Sequence, residues 1–337
     1  MNKILAYLTN RGGLTKEDAQ KLTHIHLAFG KLDIDGSIDV SELSILEETP
    51  KIRQWNPKIK LLLSLVTKHP DAFTRCAEDE ELRKAVGISC SKILKEYHLD
   101  GIDFDWEYPC VPSNGMSSKK EDKENFTLLL QAVRDEMKQT DPTALLSIAA
   151  GADLYYVKSV ELPKIANLLD YICLMTYDLK CGFHALSGHH TPLYSSTGDV
   201  FCNSCSQALQ LFEQNGVPKE KLLMGAAFYS RQWENIADIN HGFLQLSKTG
   251  GGYGPDFEVL QKDFIDKNGY TYFWDDEAKA PYLFNGSTFI SYDNEQSLQE
   301  KCRYVNQKQY GGLFYWEHSC DRTGTLLNAI YHARNLT

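Results

Sequence analysis

Hydrophobic positions along the chain alternate between two patterns. Short β-prone runs recur at Ile4–Thr9, His24–Gly30, Lys60–Val66, Gly101–Glu107, Leu145–Gly151, Tyr171–Tyr177, Leu222–Phe228 and Gly312–Glu317, and each reads as a strand. Between them lie stretches with helical spacing: Glu80–His98, Glu121–Gln139, Val157–Leu169, Ser204–Asn215, Glu295–Lys308 and Thr325–Arg334. Leu128, Leu129, Ala132, Val133 and Met137 mark the apolar face of one of them. Eight strands in alternation with helices predict an α/β fold, a (β/α)8 TIM barrel, whose functional side chains sit at the C-terminal ends of the strands.

One interval breaks the rhythm. Between Phe228 and Gly312 the sequence carries the glycine cluster 250–255 and three further β-prone runs, Tyr270–Trp274, Pro281–Phe284 and Thr288–Tyr292. This predicts a small α+β insertion between strands seven and eight, over 233–291, lining the catalytic face; the barrel itself takes 1–232 and 292–337. The glycine cluster lacks the Lys-Ser/Thr of a phosphate loop and reads as a turn.

Composition narrows the partners. No apolar run approaches the roughly 18 residues that would span a membrane. The net charge of −10 lacks the basic face a nucleic-acid partner needs. The run Ile4–Leu8 is too short for a signal-peptide core, so either the protein is not exported by that route or a leader was removed ahead of this sequence. Nine cysteines form no dense framework, and the odd number leaves at least one thiol unpaired within the chain. Cys202 and Cys205 stand alone, without a second pair at zinc-finger spacing. No cofactor and no metal are expected, and the chain is expected to act as a monomer.

The candidate chemistry is concentrated in Asp100–Glu107, which reads Asp-Gly-Ile-Asp-Phe-Asp-Trp-Glu. On a strand, Asp103, Asp105 and Glu107 share one face, and Ile102, Phe104 and Trp106 the other. Neighbouring carboxylates about 7 Å apart repel in a low-dielectric setting, and that repulsion is relieved by holding protons. Such a ladder suits acid–base catalysis. A divalent metal site is the alternative chemistry, although metal loops are more flexible and richer in Gly and Asn.

Asp-x-x-Asp-x-Asp-x-Glu followed by Tyr108-Pro109 resembles the signature of the family-18 glycoside hydrolases, the chitinase family. Met175-Thr-Tyr-Asp178, Phe228-Tyr-Ser-Arg231 and Gly311-Gly-Leu-Phe-Tyr-Trp316-Glu317 resemble further motifs of that family, with serine replacing a glycine in the second. The third strand departs from the pattern: Ser64 is followed by Leu65-Val66-Thr67, where the family places glycines.

The resemblance implies a retaining hydrolase of β-1,4-linked N-acetylglucosamine, acting on chitin or its oligosaccharides. In it Glu107 is the acid, Asp105 holds the substrate's acetamido group, Asp103 shares a proton behind it, and Tyr177 and Asp178 orient the attacking carbonyl. Trp316 forms the floor under the sugar. Tyr7, Phe29, Tyr108, Met175, Tyr229 and Arg231 are implied as further substrate contacts. Asp100, on the other phase of the strand, is expected to be structural. His184, His189 and His190 are read as loop residues near the cleft. Two competing functions belong to other classes: a non-catalytic lectin on this fold, disfavoured because Glu107 is intact, and hydrolysis of another N-acetylglucosamine linkage, in peptidoglycan or N-glycan cores.

Overall fold

A computed structural model describes residues 3–336. Eight strands, Lys3–Leu8, His24–Leu32, Lys60–Thr67, Gly101–Phe104, Leu145–Gly151, Tyr171–Met175, Leu222–Ala227 and Gly312–Trp316, pair in parallel in that order, and the first pairs with both the second and the eighth. The sheet is therefore closed, and the fold is the TIM barrel the strand–helix alternation predicts. Residues facing the helices, such as Ile102, Phe104, Leu146 and Ile148, form the main hydrophobic core. A smaller set, including Leu5, Tyr7, Leu62, Tyr171, Cys173 and Phe314, fills the barrel lumen.

Local chemistry fixes the helix starts. Asp79 accepts from the Leu82 amide ahead of Glu80–Tyr97, and Ser204 from the Gln207 amide ahead of Cys205–Gln214. Asn294 and Ser297 form a reciprocal cap on Glu295–Lys308.

Three expectations change. The fourth strand ends at Phe104, not Glu107, so Asp105 and Glu107 lie on the segment that leaves the sheet. The helix expected over Val157–Leu169 is two helices, Leu154–Ser159 and Leu162–Leu168. Val160 is extended between them, and Pro163, which has no amide hydrogen, sits in the first turn of the second. The glycine cluster is only partly a turn: Gly252–Asp256 is an edge strand paired with Tyr229–Trp233. Gly251 is needed there because a β-carbon would sit 2.4 Å from the Trp233 ring.

That edge strand belongs to a second, five-stranded antiparallel sheet, ordered Gly252–Asp256, Tyr229–Trp233, Phe289–Ser291, Ala280–Phe284 and Thr271–Asp275. Its own core holds Trp233, Ile236, Tyr282, Phe284 and Phe289. The long segment after the sixth strand is stitched to it. Trp233 donates its indole N–H to the His184 carbonyl at 2.8 Å, and the Ser187 and Ser247 amides donate to the Gln245 and Ala185 carbonyls. His189 Nε2 lies 3.1 Å from Asp275. No described helix is long and apolar enough to cross a membrane, and all nine cysteines are unpaired thiols.

Candidate active site

The site is built upward from Asp103. In the sheet register its neighbours on either side are Ser64 of the third strand and Ser147 of the fifth, so three lumen-facing polar side chains share one layer. Asp103 is fully buried. It accepts hydrogen bonds from Tyr7 (2.9 Å), Ser64 (2.7 Å) and Ser147 (2.6 Å), and His26 Nδ1 lies 3.3 Å away. Burial pushes its pKa up, but His26 and the two serines outweigh burial, and Asp103 is held below the usual carboxylate range.

Asp105, two residues on, has the opposite bias. Burial, then the charges of Glu107 and Asp103, raise its pKa well above the ordinary value. Its Oδ1 has no partner within the protein. Glu107 is also raised, by burial first and by the Asp178 charge, against a hydrogen bond from Tyr108. Between them Trp106 turns the other way and stacks on Phe73, with centroids 5.2 Å apart and planes 12° from parallel, anchoring the segment that carries both carboxyl groups.

The other side of the site comes from the residues just past the sixth strand, from Tyr229–Trp233 and from the end of the eighth strand. The Tyr177 hydroxyl is held neutral by burial and then by the charges of Asp105 and Glu107. Next to it Asp178 takes a left-handed backbone, φ 56°, and accepts from Tyr229 Oη and Arg231 Nε, both at 2.7 Å, and from Arg231 Nη2. Burial raises the Asp178 pKa, yet His190 and Arg231 bring it well below the usual range. Trp316 ends the eighth strand, stacked on Phe29 at 5.4 Å and edge-on to Tyr7 at 5.6 Å. Met175 packs in the same cluster. Tyr108 packs edge-on against Tyr155 at 5.2 Å.

The structure thus gathers Asp103, Asp105, Glu107, Tyr177 and Asp178 through shared hydrogen bonds and charges, with Tyr7, Phe29, Met175 and Trp316 in one hydrophobic cluster. Arg231, expected as a substrate contact, is buried and already bonded twice to Asp178; its guanidinium also lies 3.7 Å from the centroid of Tyr253, which is exposed. Asp100 binds the Leu61 amide, Arg53 and Lys60, away from the site. The third strand's departure has a local consequence: Leu65 is buried, and Lys68 just beyond pairs with Asp33 and Asp39.

Sequence reasoning missed His26, Ser147, Tyr171 and the anchoring role of His190. A signal existed for two of them: Ser147 is a lone polar residue within an apolar strand, and His26 shares one face of its strand with His24, which in a closed barrel points such residues into the lumen. Among the described residues, His26, Asp103 and Cys173 place potential ligand atoms within 4.8 Å of one another. They fit a metal poorly. Asp103 already accepts three hydroxyl hydrogens, and burial pushes the Cys173 thiol far from the thiolate a metal would need.

A closed parallel barrel whose fourth strand hands on a stack of carboxyl groups defines the class: a TIM-barrel protein with a buried carboxyl cluster at its C-terminal face. The chain belongs to glycosyl hydrolases family 18, whose profile matches residues 3–321. It is 36% identical over 306 residues to chitinase A1 of Niallia circulans, covering 85% of this chain and 44% of that protein. It is 26% identical over 355 residues to the endochitinase of Manduca sexta, covering 95% and 64%. The chain thus spans less than two thirds of either relative. Among solved structures it resembles a family 18 N-acetylglucosaminidase from Paenibacillus barengoltzii, with a TM-score of 0.95, 44% identity and coverage of 99% of this chain and 100% of that one.

Proposed function

We propose that the protein hydrolyses β-1,4-linked N-acetylglucosamine chains, as a retaining, chitinase-type glycosidase that uses the substrate's own acetamido group. The observation that carries this reading is the contrast along one short segment: Asp103 accepts from three hydroxyls and is held low, whereas buried Asp105 has an unpartnered oxygen and, with Glu107, is held high. Glu107 keeps its proton toward neutrality and gives it to the glycosidic oxygen as the bond to the anomeric carbon breaks. The acetamido carbonyl oxygen attacks that carbon, as in the substrate-assisted exceptions to the two-carboxylate scheme, and closes an oxazolinium ring. Asp105, with an unpartnered oxygen, accepts the acetamido N–H, and Asp103 shares the proton behind it. Tyr177 donates to the attacking carbonyl, Asp178 fixes Tyr177's side of the site, and Trp316 supports the sugar's C–H face. Glu107, now ionised, takes a proton from the water that opens the ring.

Chitinase A1 and the Manduca endochitinase support chitin or its oligomers as the substrate class. A second reading, release of single N-acetylglucosamine units, is favoured by the likeness to the Paenibacillus enzyme over its whole length. In either case we propose a monomer that needs no cofactor and has no nucleic-acid or membrane partner.

The test is a ladder of N-acetylglucosamine oligomers beside peptidoglycan and an N-glycan, with products followed by NMR. Cleavage of the oligomers with the β-anomer formed first is expected. Monomer as the sole product would select the second reading. Untouched oligomers with cleaved peptidoglycan or N-glycan would overturn the substrate class.

A further inference from the structure

Beneath Asp103 lies an imidazole that the chemistry above does not use. His26 is fully buried in the second strand. Its Nδ1 is 3.3 Å from Asp103 Oδ2, off the line of an ideal hydrogen bond and without another partner. Its Nε2 is 2.8 Å from the Tyr171 hydroxyl. The ring is held edge-on to Tyr7 at 4.8 Å and along Tyr171 at 5.8 Å.

The titratable groups facing this ring come from four strands: Tyr7, His24 on its own strand, Asp103, and Tyr171 with Cys173. Burial holds the hydroxyls of Tyr7 and Tyr171 and the thiol of Cys173 neutral. His24 is kept uncharged as well, lowered to about 3 by burial, then by His26 and Lys3. Asp103 is therefore the one group among them that carries charge near neutrality, and the His26 ring, held by Tyr7 and Tyr171, brings a ring nitrogen to 3.3 Å from it. Facing a carboxylate oxygen at 3.3 Å, Nδ1 is the nitrogen suited to carry hydrogen, and Nε2 is left to face the Tyr171 hydroxyl.

We infer that His26 is a positioning residue for the reaction: through Nδ1 it keeps Asp103 ionised, so that the proton Asp103 shares with Asp105 stays on Asp105. The inference rests on the glycosidase reading. At low pH the pair takes up a second proton, on Asp103. Asp105 then has no ionised partner to take its proton while it supports the oxazolinium, and activity falls. Removing His26 makes Asp103 a stronger base, so this uptake moves to higher pH.

The experiment is the pH dependence of kcat on an N-acetylglucosamine oligomer for wild type, His26→Leu, His26→Asn and Tyr171→Phe, with folding checked by circular dichroism. His26→Leu should move the acidic limb upward by about one pH unit, the scale on which one hydrogen bond to the ionised form lowers a carboxylate. At a fixed pH on that limb this is roughly a tenfold loss. His26→Asn, whose amide can still donate, should move it less, and Tyr171→Phe, which removes one oxygen, should move it slightly in the same direction. The basic limb should stay in place, and His26→Asn should add nothing in an Asp103→Asn background. An acidic limb at its wild-type position in the folded variants, with kcat merely scaled down, would overturn the inference and leave the glycosidase reading standing. Should His26→Leu fail to fold, the other two variants decide. Wild type inactive on the oligomers would overturn both.

Discussion

Asp103 and Asp105 are two residues apart in one segment, and the protein biases them in opposite directions. Asp103 lies in the lumen with three hydroxyl donors and an imidazole around it; Asp105 sits above with an oxygen that nothing in the protein satisfies. One proton shared by the pair belongs on Asp105, and the pair titrates as a unit.

Glu107→Gln keeps the shape of the acid and removes its proton. Turnover on an N-acetylglucosamine oligomer is expected to fall at least about 100-fold, the scale of general acid catalysis, with oligomer binding by calorimetry retained. A variant keeping most of its activity would reassign the acid.

The basic limb of the pH profile should report Glu107. Its pKa is raised, so the active, protonated form is fully present below that pKa and is lost as pH rises through it. Asp178→Asn removes a charge that contributes to the shift, and the basic limb should therefore move down. An upward movement would show that another group sets that limb.

Arg231→Lys keeps the charge and loses the paired geometry on Asp178. Loss of a charge-assisted hydrogen bond, about 1.5–3 kcal/mol, corresponds to roughly a 10- to 100-fold drop in kcat/KM. Steady-state kinetics within twofold of wild type would mean that Asp178 holds its position without Arg231.

Activity is expected to survive EDTA and to gain nothing from magnesium, calcium or zinc. A cation on the carboxyl groups would hold them ionised and abolish the proton that Asp105 and Glu107 need. Activity lost in EDTA and restored by one metal would require a different chemistry for the fourth strand.

The barrel was legible because each strand is a short apolar run, followed for the most part by a helical period. The carboxylate ladder was legible because its spacing is unusual for a strand. Strand length was not: Asp105 and Glu107 continue the alternation of Gly101–Phe104, but residue pairing ends at Phe104, with the Asp105 amide making a last bond to the Leu65 carbonyl, and side-chain pattern alone does not mark where pairing ends. The surroundings of Asp103 were hidden for another reason. Tyr7, His26, Ser64 and Ser147 come from four strands, and only the register brings them into one place. Arg231 shows the same limit, since nothing local distinguishes a guanidinium that meets sugar from one held by Asp178.

The stitching of the segment after the sixth strand to the second sheet bears on how this scaffold can be re-engineered. The indole of Trp233 bonds to the backbone at His184, and His189 reaches Asp275, so two stretches far apart in sequence behave as one graft unit. A chimera that swaps the 233–291 stretch alone would strand the His189 imidazole and open the pocket that Trp233 fills. Exchanging both stretches together from one donor is the cut that keeps the Trp233–His184 and His189–Asp275 pairs intact.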